Sequence, residues 1–467
     1  MPVWRAIGSC GGFLLAVLVS TSPWILGSNR PLPWVFNAIL AATALLAIVL
    51  HRLFDPQARR RPLLPIGLPV APMGVALAFC AVQLVPLAPA AVTDPIWQYA
   101  PGVVDGAAPA FGPLSIDPHL TFWRLIRLAT VGCVFLAAYF LARDDRWADR
   151  LVLTLLASAF LVALYGFFRL TAQPGKILWY DSPPLGRLGA TFVNPNNAAT
   201  YFGLAAIAAL GLLLRQLRHS LAEIAGERGR YRLAAVIGLL PGWLGFAILG
   251  FLVPFAALLL TASRGAILAT LVAFAALAGL QVIRRRRGSA QTKMISAGAA
   301  VLAVGLALIV LELSGAGLVD RLGQIGMDSS ERFATYSATL QAIADHWLVG
   351  VGHGTFQDIF PLYRRESGSG LLLTWDKAHN DYLELALGLG LPVACLFLVG
   401  LAILFMRVLR GFLTRERNSH FAAIAVGSMI LVALHAMVDF SLQIEAVAIA
   451  AALLVGVGAA QARSSRR

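Results

Sequence analysis

The stretch TWDKAHNDYLELALGLGLPVACLFLVG, residues 374–400, joins a charged segment to a long apolar run. Its second half has the composition of a helix that crosses a bilayer, which needs roughly 20 apolar residues. Its first half crowds together Asp376, Lys377, His379, Asp381 and Glu384. This pattern predicts a membrane-spanning helix with ionisable side chains gathered at its start.

The composition of the whole chain agrees with a membrane protein. Of its 467 residues, 59% are hydrophobic and only 13% are charged, whereas soluble proteins carry about 25% charged residues. We predict an all-α, polytopic integral membrane protein with a single domain over residues 1–467. The net charge of +14 falls mostly in short loops, as expected for topology signals and contact with anionic lipid. No nucleic-acid-binding motif accompanies it, so we expect no nucleic-acid partner.

Apolar runs along the chain predict about twelve transmembrane helices. Their centres lie near residues 15, 42, 79, 131, 160, 204, 248, 273, 303, 394, 429 and 453. With the N-terminus in the cytoplasm, most of the 37 lysines and arginines fall in the predicted cytoplasmic loops, as the positive-inside rule requires. Both termini are therefore predicted to be cytoplasmic.

The largest polar segment is the predicted extracytoplasmic loop 313–380, between spans nine and ten. Within it, Asp328 and Glu331 have the spacing of a capping box. Apolar residues then recur at helical spacing: Phe333, Tyr336, Leu340, Ile343 and Trp347. We predict an amphipathic helix that lies at the membrane surface.

Several arginines are predicted to lie on the extracytoplasmic side of the membrane. Arg264 separates two long apolar runs, and Arg332 lies in the first turn of the predicted loop helix, where the helix dipole disfavours a cation. The planar guanidinium binds two phosphate oxygens at once, so arginines that converge from different spans would form a pyrophosphate site. Arg124 and Arg127, at the start of the fourth predicted span, are interpreted as snorkelling along the bilayer. For Arg364 and Arg365 a solvated loop pair is the alternative.

His379 precedes the predicted start of the tenth span. The positive end of the helix and Lys377 favour a neutral imidazole, which a general base requires, although an ordinary polar role is the alternative. Asp381 and Glu384 have capping-box spacing, which explains both without a catalytic role.

Two further motifs have a structural explanation from sequence alone. Asn194 and Pro195 fit the cap and first residue of a helix. His435 and Asp439 lie one helical turn apart and are interpreted as a helix-stabilising pair. The sequence shows no metal-ligand spacing and no nucleotide-binding glycine pattern, so no metal or cofactor is expected.

Four segments in order resemble the superfamily of O-antigen ligases and O-antigen polymerases. They are RLGATFVNPNNAATYF at 187–202, TASRGAILA at 261–269, SSERFATYSATLQAIADHWLVGVGHGTF at 329–356 and KAHNDYLELALGLGLP at 377–392. The resemblance covers about residues 185–440. It departs from many relatives at Trp347 and His353, and at LALGLGLP.

The resemblance implies a bacterial inner-membrane glycosyltransferase whose site faces the periplasm. Its donor would be a polyprenyl-pyrophosphate-linked glycan, and its acceptor a lipid A core, in a ligase, or another glycan, in a polymerase. Matched positions imply His379 as the catalytic residue and Arg264 and Arg332 as pyrophosphate ligands, with Arg187 as an addition. The supporting residues are Asn380, Glu384, His435 and Asp439.

A different class of function remains as an alternative. A transporter or flippase for a lipid-linked solute also suits twelve spans, but it predicts charges near the bilayer midplane and an internal repeat. The sequence shows neither of these features.

Overall fold

The computed structural model describes residues 3–55, 66–97, 111–223, 238, 242–284, 333–364, 375–415 and 417–462. Within these ranges the chain is helical apart from loops and two short hairpins, which confirms the predicted all-α class. The helices are α1 Val3–Thr21, α2 Pro31–Phe54, α3 Gly67–Val82, α4 Pro118–Leu141, α5 Asp145–Ala172, α6 Pro195–Glu223, α7 Trp243–Leu260, α8 Arg264–Arg284, α9 at 333–345, α10 Phe356–Tyr363, α11 Asp381–Thr414, α12 Ser419–His435 and α13 Glu445–Gln461.

Eight of the described helices are long and apolar enough to cross a membrane: α1, α2, α4, α5, α6, α7, α8 and α11. Three shorter apolar helices accompany them: α3, α12 and α13. Each predicted span centre lies in one of these helices, except the centre near residue 303. That residue and parts of the loop 313–380, residues 313–332 and 365–374, lie outside the described residues, so the count of twelve spans stays a prediction.

α13 is the central helix of the bundle, and all 17 of its residues are buried. It packs mainly against α4 and α12. Small residues make this approach possible, since a side chain at Gly456 would lie 2.7 Å from the Phe135 carbonyl oxygen. Such contacts are typical of helix packing in membranes, where van der Waals contact replaces the hydrophobic driving force.

One end of the bundle, here called the His379 end, gathers the loops at 173–194, 261–263, 346–355, 375–380 and 436–444. Backbone hydrogen bonds join these loops to one another and to the helix ends, for example Leu188 N to Leu260 O at 2.9 Å and Asp381 N to Ala436 O at 2.9 Å. Two antiparallel hairpins lie in the loops before α4 and α6. They are β1 Ala88–Pro89 with β2 Phe111–Gly112, and β3 Lys176–Ile177 with β4 Tyr180–Asp181.

The opposite end is held by charged and amide side chains. Arg215 pairs with Asp149, Arg284 Nη1 donates to Ser419 Oγ at 2.6 Å, and Gln461 Nε2 donates to Asp145 Oδ1 at 2.9 Å. These residues belong to the segments that the positive-inside rule assigns to the cytoplasm. Among the described residues, the predicted cytoplasmic loops and the predicted extracytoplasmic loops therefore lie at opposite ends of the bundle.

α9 has one face toward the protein and one away from it. Small residues and Ile343 pack inward, in a second small core with α10 and the start of α11. Phe333, Leu340 and Trp347 are exposed by 70%, 54% and 52%. The predicted capping residues Asp328 and Glu331 lie outside the described residues. Placement of α9 on the membrane surface stays a prediction, which its exposed apolar face supports.

Candidate functional site

His379 lies at the start of α11 with a left-handed backbone, at φ +53°. The residue that caps the helix is its neighbour Asn380, whose Oδ1 accepts from Tyr382 N at 3.0 Å and Leu383 N at 3.1 Å. The predicted capping box of Asp381 and Glu384 is therefore wrong, because a helix has one N-cap and Asn380 occupies it. Sequence spacing could not separate two adjacent capping residues, since both side-chain types fit.

Side-chain hydrogen bonds hold the loop 375–380 against the bundle. Glu384 is buried, and its Oε1 accepts from Ala378 N at 2.8 Å. The Asn380 amide nitrogen donates to Met437 O at 3.0 Å. Tyr336 of α9 donates to the His379 carbonyl at 3.0 Å. His379 is thus positioned by α9, α11 and the segment after α12.

The His379 side chain has aromatic neighbours and a carboxylate neighbour. Its ring meets Trp375 and Phe440 edge-on, with centroids 5.7 and 5.0 Å apart. Nδ1 lies 3.9 Å from Asp439 Oδ1. The imidazole is 24% exposed and the Asp439 side chain only 1%, so the imidazole is accessible from the surface and the carboxylate is buried behind it.

Asp439 is the centre of a buried polar network. Ser441 Oγ is hydrogen-bonded to Asp439 Oδ2 and lies 3.1 Å from Asn197 Oδ1. His435 Nδ1 lies 3.9 Å from Asp439 Oδ2 and 2.8 Å from Thr200 Oγ1. Asp439 therefore faces two histidines. The sequence predicted its pairing with His435, but it did not predict the contact with His379.

The network explains the motif FVNPNNAATYF. α6 begins at Pro195, and Asn194 Oδ1 accepts from Asn196 N at 2.9 Å, which confirms the predicted cap. Asn197 and Thr200, further along α6, do not cap the helix. Both are buried, and they contact Ser441 and His435, respectively. This contact between distant segments left no signal in the local spacing.

Arg264 is the first residue of α8 and is exposed. The turn before it is tight, with Ala262 at φ +53°. The next residue packs on the network, since a Cβ at Gly265 would lie 3.1 Å from His435 Cδ2. The geometry of the SRG motif thus places the start of α8 beside His435 at the His379 end.

Arg187 is also exposed and lies in a loop that is held to the α7–α8 turn. Leu188 N donates to Leu260 O at 2.9 Å, four residues before Arg264. The buried Arg169 fixes the same loop by donating to Ala190 O at 2.9 Å and Lys176 O at 2.7 Å. Arg332 lies outside the described residues, immediately before the helical residues 333–345.

Two arginines of α4 point inward. Arg127 is buried, with its guanidinium carbon 4.6 Å from the centre of the Trp34 ring. Arg124 Nη2 donates to Gln443 Oε1 at 2.7 Å. Snorkelling, the structural alternative for this pair, is therefore wrong. A signal was present, because arginines at membrane depth generally face the protein interior.

A break in α11 holds the glycine-rich turn 350–354 in place. The α11 backbone is non-helical at Gly390, where φ is +73°. Its freed carbonyls accept from the turn, Leu387 O from Val351 N at 3.0 Å and Gly388 O from Gly352 N at 3.2 Å. Broken helices are tolerated at membrane depth only where protein satisfies the backbone, so the turn and the break require each other.

Two further titratable groups are His353, within the turn, and Lys377. Burial, together with the charges of Arg124, Arg127 and Lys377, lowers the pKa of His353 to about 3. Burial, together with the charge of Arg124, lowers the pKa of Lys377 to about 8. His353 is consequently neutral at physiological pH, and Lys377 titrates only slightly above it. Among the residues that the structure describes, no group of three His, Cys, Asp or Glu side chains could hold a metal ion.

Comparison with known families finds a similarity over part of the chain. Residues 249–398 match the O-antigen ligase family model. The match supports the superfamily of O-antigen ligases and polymerases, as the sequence motifs predicted. The matched O-antigen ligase region contains Arg264, Arg332, His379, Asn380 and Glu384, while Arg187, His435 and Asp439 lie outside it. No curated protein matches the chain.

Proposed function

We propose that the protein transfers a glycan from a polyprenyl-pyrophosphate-linked donor to an acceptor hydroxyl, with His379 as general base. The observation that carries the proposal is the placement of His379 between a reachable surface and the buried Asp439, at the end of the bundle that also presents Arg187 and Arg264. The O-antigen ligase match over 249–398 supports the same chemistry.

In the proposed reaction, the acceptor oxygen attacks the anomeric carbon of the donor sugar. The bond between that carbon and the pyrophosphate oxygen breaks, and polyprenyl pyrophosphate leaves with the electron pair. His379 takes the hydroxyl proton, a step that typically contributes 10²–10⁴-fold to the rate. Asp439 lies on the Nδ1 side and would stabilise the imidazolium that forms, so Nε2 is the nitrogen that faces the acceptor.

Arginine charge would stabilise the leaving group. As the glycosidic bond breaks, negative charge grows on the pyrophosphate oxygens, and donors that are already in place stabilise it without reorganisation. Arg187, Arg264 and Arg332 are proposed as these donors. Attack from the face opposite the leaving group inverts the anomeric centre, and a product with retained configuration would contradict this single displacement.

The proposed setting is the periplasmic face of a bacterial inner membrane. The loops of the His379 end carry few cations, whereas the opposite end gathers Arg215, Arg284 and Arg417. The positive-inside rule assigns the latter end to the cytoplasm. Lipid-linked donor and acceptor would then meet at the N-terminal end of α11, next to His379.

Purified protein in liposomes, supplied with polyprenyl-pyrophosphate-linked oligosaccharide, tests the proposal. Glycan on added lipid A core would identify a ligase, and longer glycan on the polyprenyl lipid without lipid A core would identify a polymerase. We expect His379→Ala to abolish transfer. His119→Ala should retain it, because His119 is an exposed histidine at the same end. Movement of unaltered donor across the bilayer with no new glycosidic bond would instead support a flippase.

A further inference from the structure

Gln443 connects three elements at the His379 end. Its Oε1 accepts from Arg124 Nη2 of α4 at 2.7 Å, and its Nε2 donates to Asp381 Oδ1 of α11 at 3.0 Å. Gln443 itself ends the short 3₁₀ helix Ser441–Gln443. No sequence motif pointed to this residue.

The chemistry of the partners determines how the Gln443 amide is oriented. Arginine can only donate hydrogen bonds, whatever the protonation state of Asp381. The amide oxygen must therefore face Arg124, and the amide nitrogen must face Asp381. Arg124 thus holds the amide in the one orientation that bonds to α11.

The same contacts attach the segment 436–443 to the start of α11 at both of its ends. At one end, Asp381 N donates to Ala436 O at 2.9 Å and Asn380 Nδ2 donates to Met437 O at 3.0 Å. At the other end, Asp381 accepts from Gln443 Nε2 at 3.0 Å and from Leu442 N at 3.4 Å. Asp439 lies between the two attachments.

The distance from Asp439 to His379 makes this attachment important. His379 Nδ1 and Asp439 Oδ1 are 3.9 Å apart, whereas a hydrogen bond between nitrogen and oxygen needs about 2.7–3.2 Å. A shift of the segment by about 1 Å toward or away from His379 therefore decides whether the carboxylate can bond to the imidazole when the ring becomes charged.

We propose that Gln443, held by Arg124, is a positioning residue that sets the geometry between Asp439 and His379. This inference rests on the proposed function of His379. It gives Arg124 a structural role, in which it orients Gln443, whereas Arg187, Arg264 and Arg332 would bind the donor. Gln443 acts through Asp439, so its effect should require Asp439.

The test measures transfer by Gln443→Leu, Asp439→Asn and the double variant. We expect Gln443→Leu to lower kcat about 10- to 100-fold, the fold-change that corresponds to a hydrogen bond to a charged group, with the donor KM within about twofold because no donor contact is lost. In the Asp439→Asn background the same substitution should change kcat less than about twofold, because residues that act as a unit are not additive.

Gln461→Leu is the matched control. Gln461 also connects elements, by donating to Ala142 O at 2.7 Å and Asp145 Oδ1 at 2.9 Å, but at the opposite end of the bundle. It should lose comparable stability and keep its kcat. If Gln443→Leu does not fold, Gln443→Glu keeps the shape and the Arg124 partner, and it replaces the donor to Asp381 with a carboxylate oxygen that repels the Asp381 carboxylate.

Hydrogen exchange of the segment 436–443 supplies a readout that does not depend on transfer. We expect faster exchange there in the Gln443 variants and wild-type exchange in Gln461→Leu. Unchanged exchange, an effect on KM alone, or an equal loss of kcat with and without Asp439 would each overturn the inference. Absence of transfer by the wild type would contradict the proposed function instead, and exchange would still decide whether Gln443 holds the segment.

Discussion

At the scale of single residues, the stretch 374–400 contains both the proposed general base, His379, and side chains that hold it. The family resemblance predicted a catalytic role for His379, and its position beside a helix start and a lysine agreed with the neutral form that a general base requires. Sequence analysis could not identify Asp439 as its partner, since the contact depends on how α11 and the segment after α12 meet. It also assigned the helix cap to Asp381, where the structure has Asn380.

The carboxylate partner gives a prediction about turnover. Asp439→Asn keeps the shape of the side chain but removes the charge that stabilises the imidazolium. A hydrogen bond to a charged group contributes about 1.5–3 kcal/mol, so kcat should fall roughly 10- to 100-fold while the donor KM changes little. Steady-state transfer kinetics check this expectation. A change in KM with normal kcat would assign Asp439 to substrate binding.

Lys377 gives a prediction about pH. Burial lowers its folded-state pKa to about 8, and the unfolded value is about 10.4. Between these values the unfolded chain binds more protons than the folded chain, so the wild type gains stability as pH rises from 8 to about 10.4. Lys377→Met should therefore be more stable than the wild type below pH 8, and this advantage should shrink toward pH 10.4. Thermal unfolding of both proteins across this range measures it, and a constant difference would refute the shift.

At the scale of elements, helix positions were predictable because the bilayer sets their length and composition. The break in α11 was not, although LALGLGLP contains its glycines. Two glycines in an apolar helix are equally consistent with close helix packing. The break is determined by the turn at 350–354, which bonds to it from a part of the chain that sequence patterns treat as a separate loop.

The turn 350–354 and the break at Gly390 bond to each other, so glycine substitutions should have unequal effects on stability. A Cβ at Gly350 would lie 2.6 Å from the backbone of Leu387, Gly388 and Gly390, at φ +67°. Gly350→Ala should lower stability by more than the roughly 1–2 kcal/mol that a left-handed residue costs. Gly279→Ala, with nothing near its Cβ, should stabilise α8 by roughly 0.5–1 kcal/mol. Thermal unfolding in detergent compares the two variants. Equal unfolding midpoints would show that the contact between the turn 350–354 and the break in α11 contributes little to stability.

At the scale of the whole molecule, the order of helices in space was beyond sequence analysis. α7 is apolar throughout and α13 is apolar between Glu445 and Gln461, yet α13 is wholly buried and much of α7 is exposed. Lipid tails are as apolar as leucine, so composition does not distinguish a helix that faces lipid from one that faces protein. The separation of basic loops from the His379 end was predictable, because charge in the loops determines orientation.

Orientation is testable with single cysteines in a variant that lacks the four native ones. Asp376 is exposed at the His379 end, and the Arg417 side chain is 81% exposed at the other. In spheroplasts, a membrane-impermeant maleimide should label Asp376→Cys and should label Arg417→Cys only after lysis. The reverse pattern would place His379 in the cytoplasm and contradict the periplasmic site.

The central claim is that His379 takes the acceptor proton and that the arginines bind the donor pyrophosphate. One comparison tests it most directly. Donor affinity and turnover are measured for wild type, His379→Ala and Arg264→Gln, with Arg30→Ala as an exposed arginine control at the same end. We predict that His379→Ala binds donor with near wild-type affinity and turns over at least about 100-fold more slowly, whereas Arg264→Gln loses donor affinity. Wild-type turnover by His379→Ala would contradict the account.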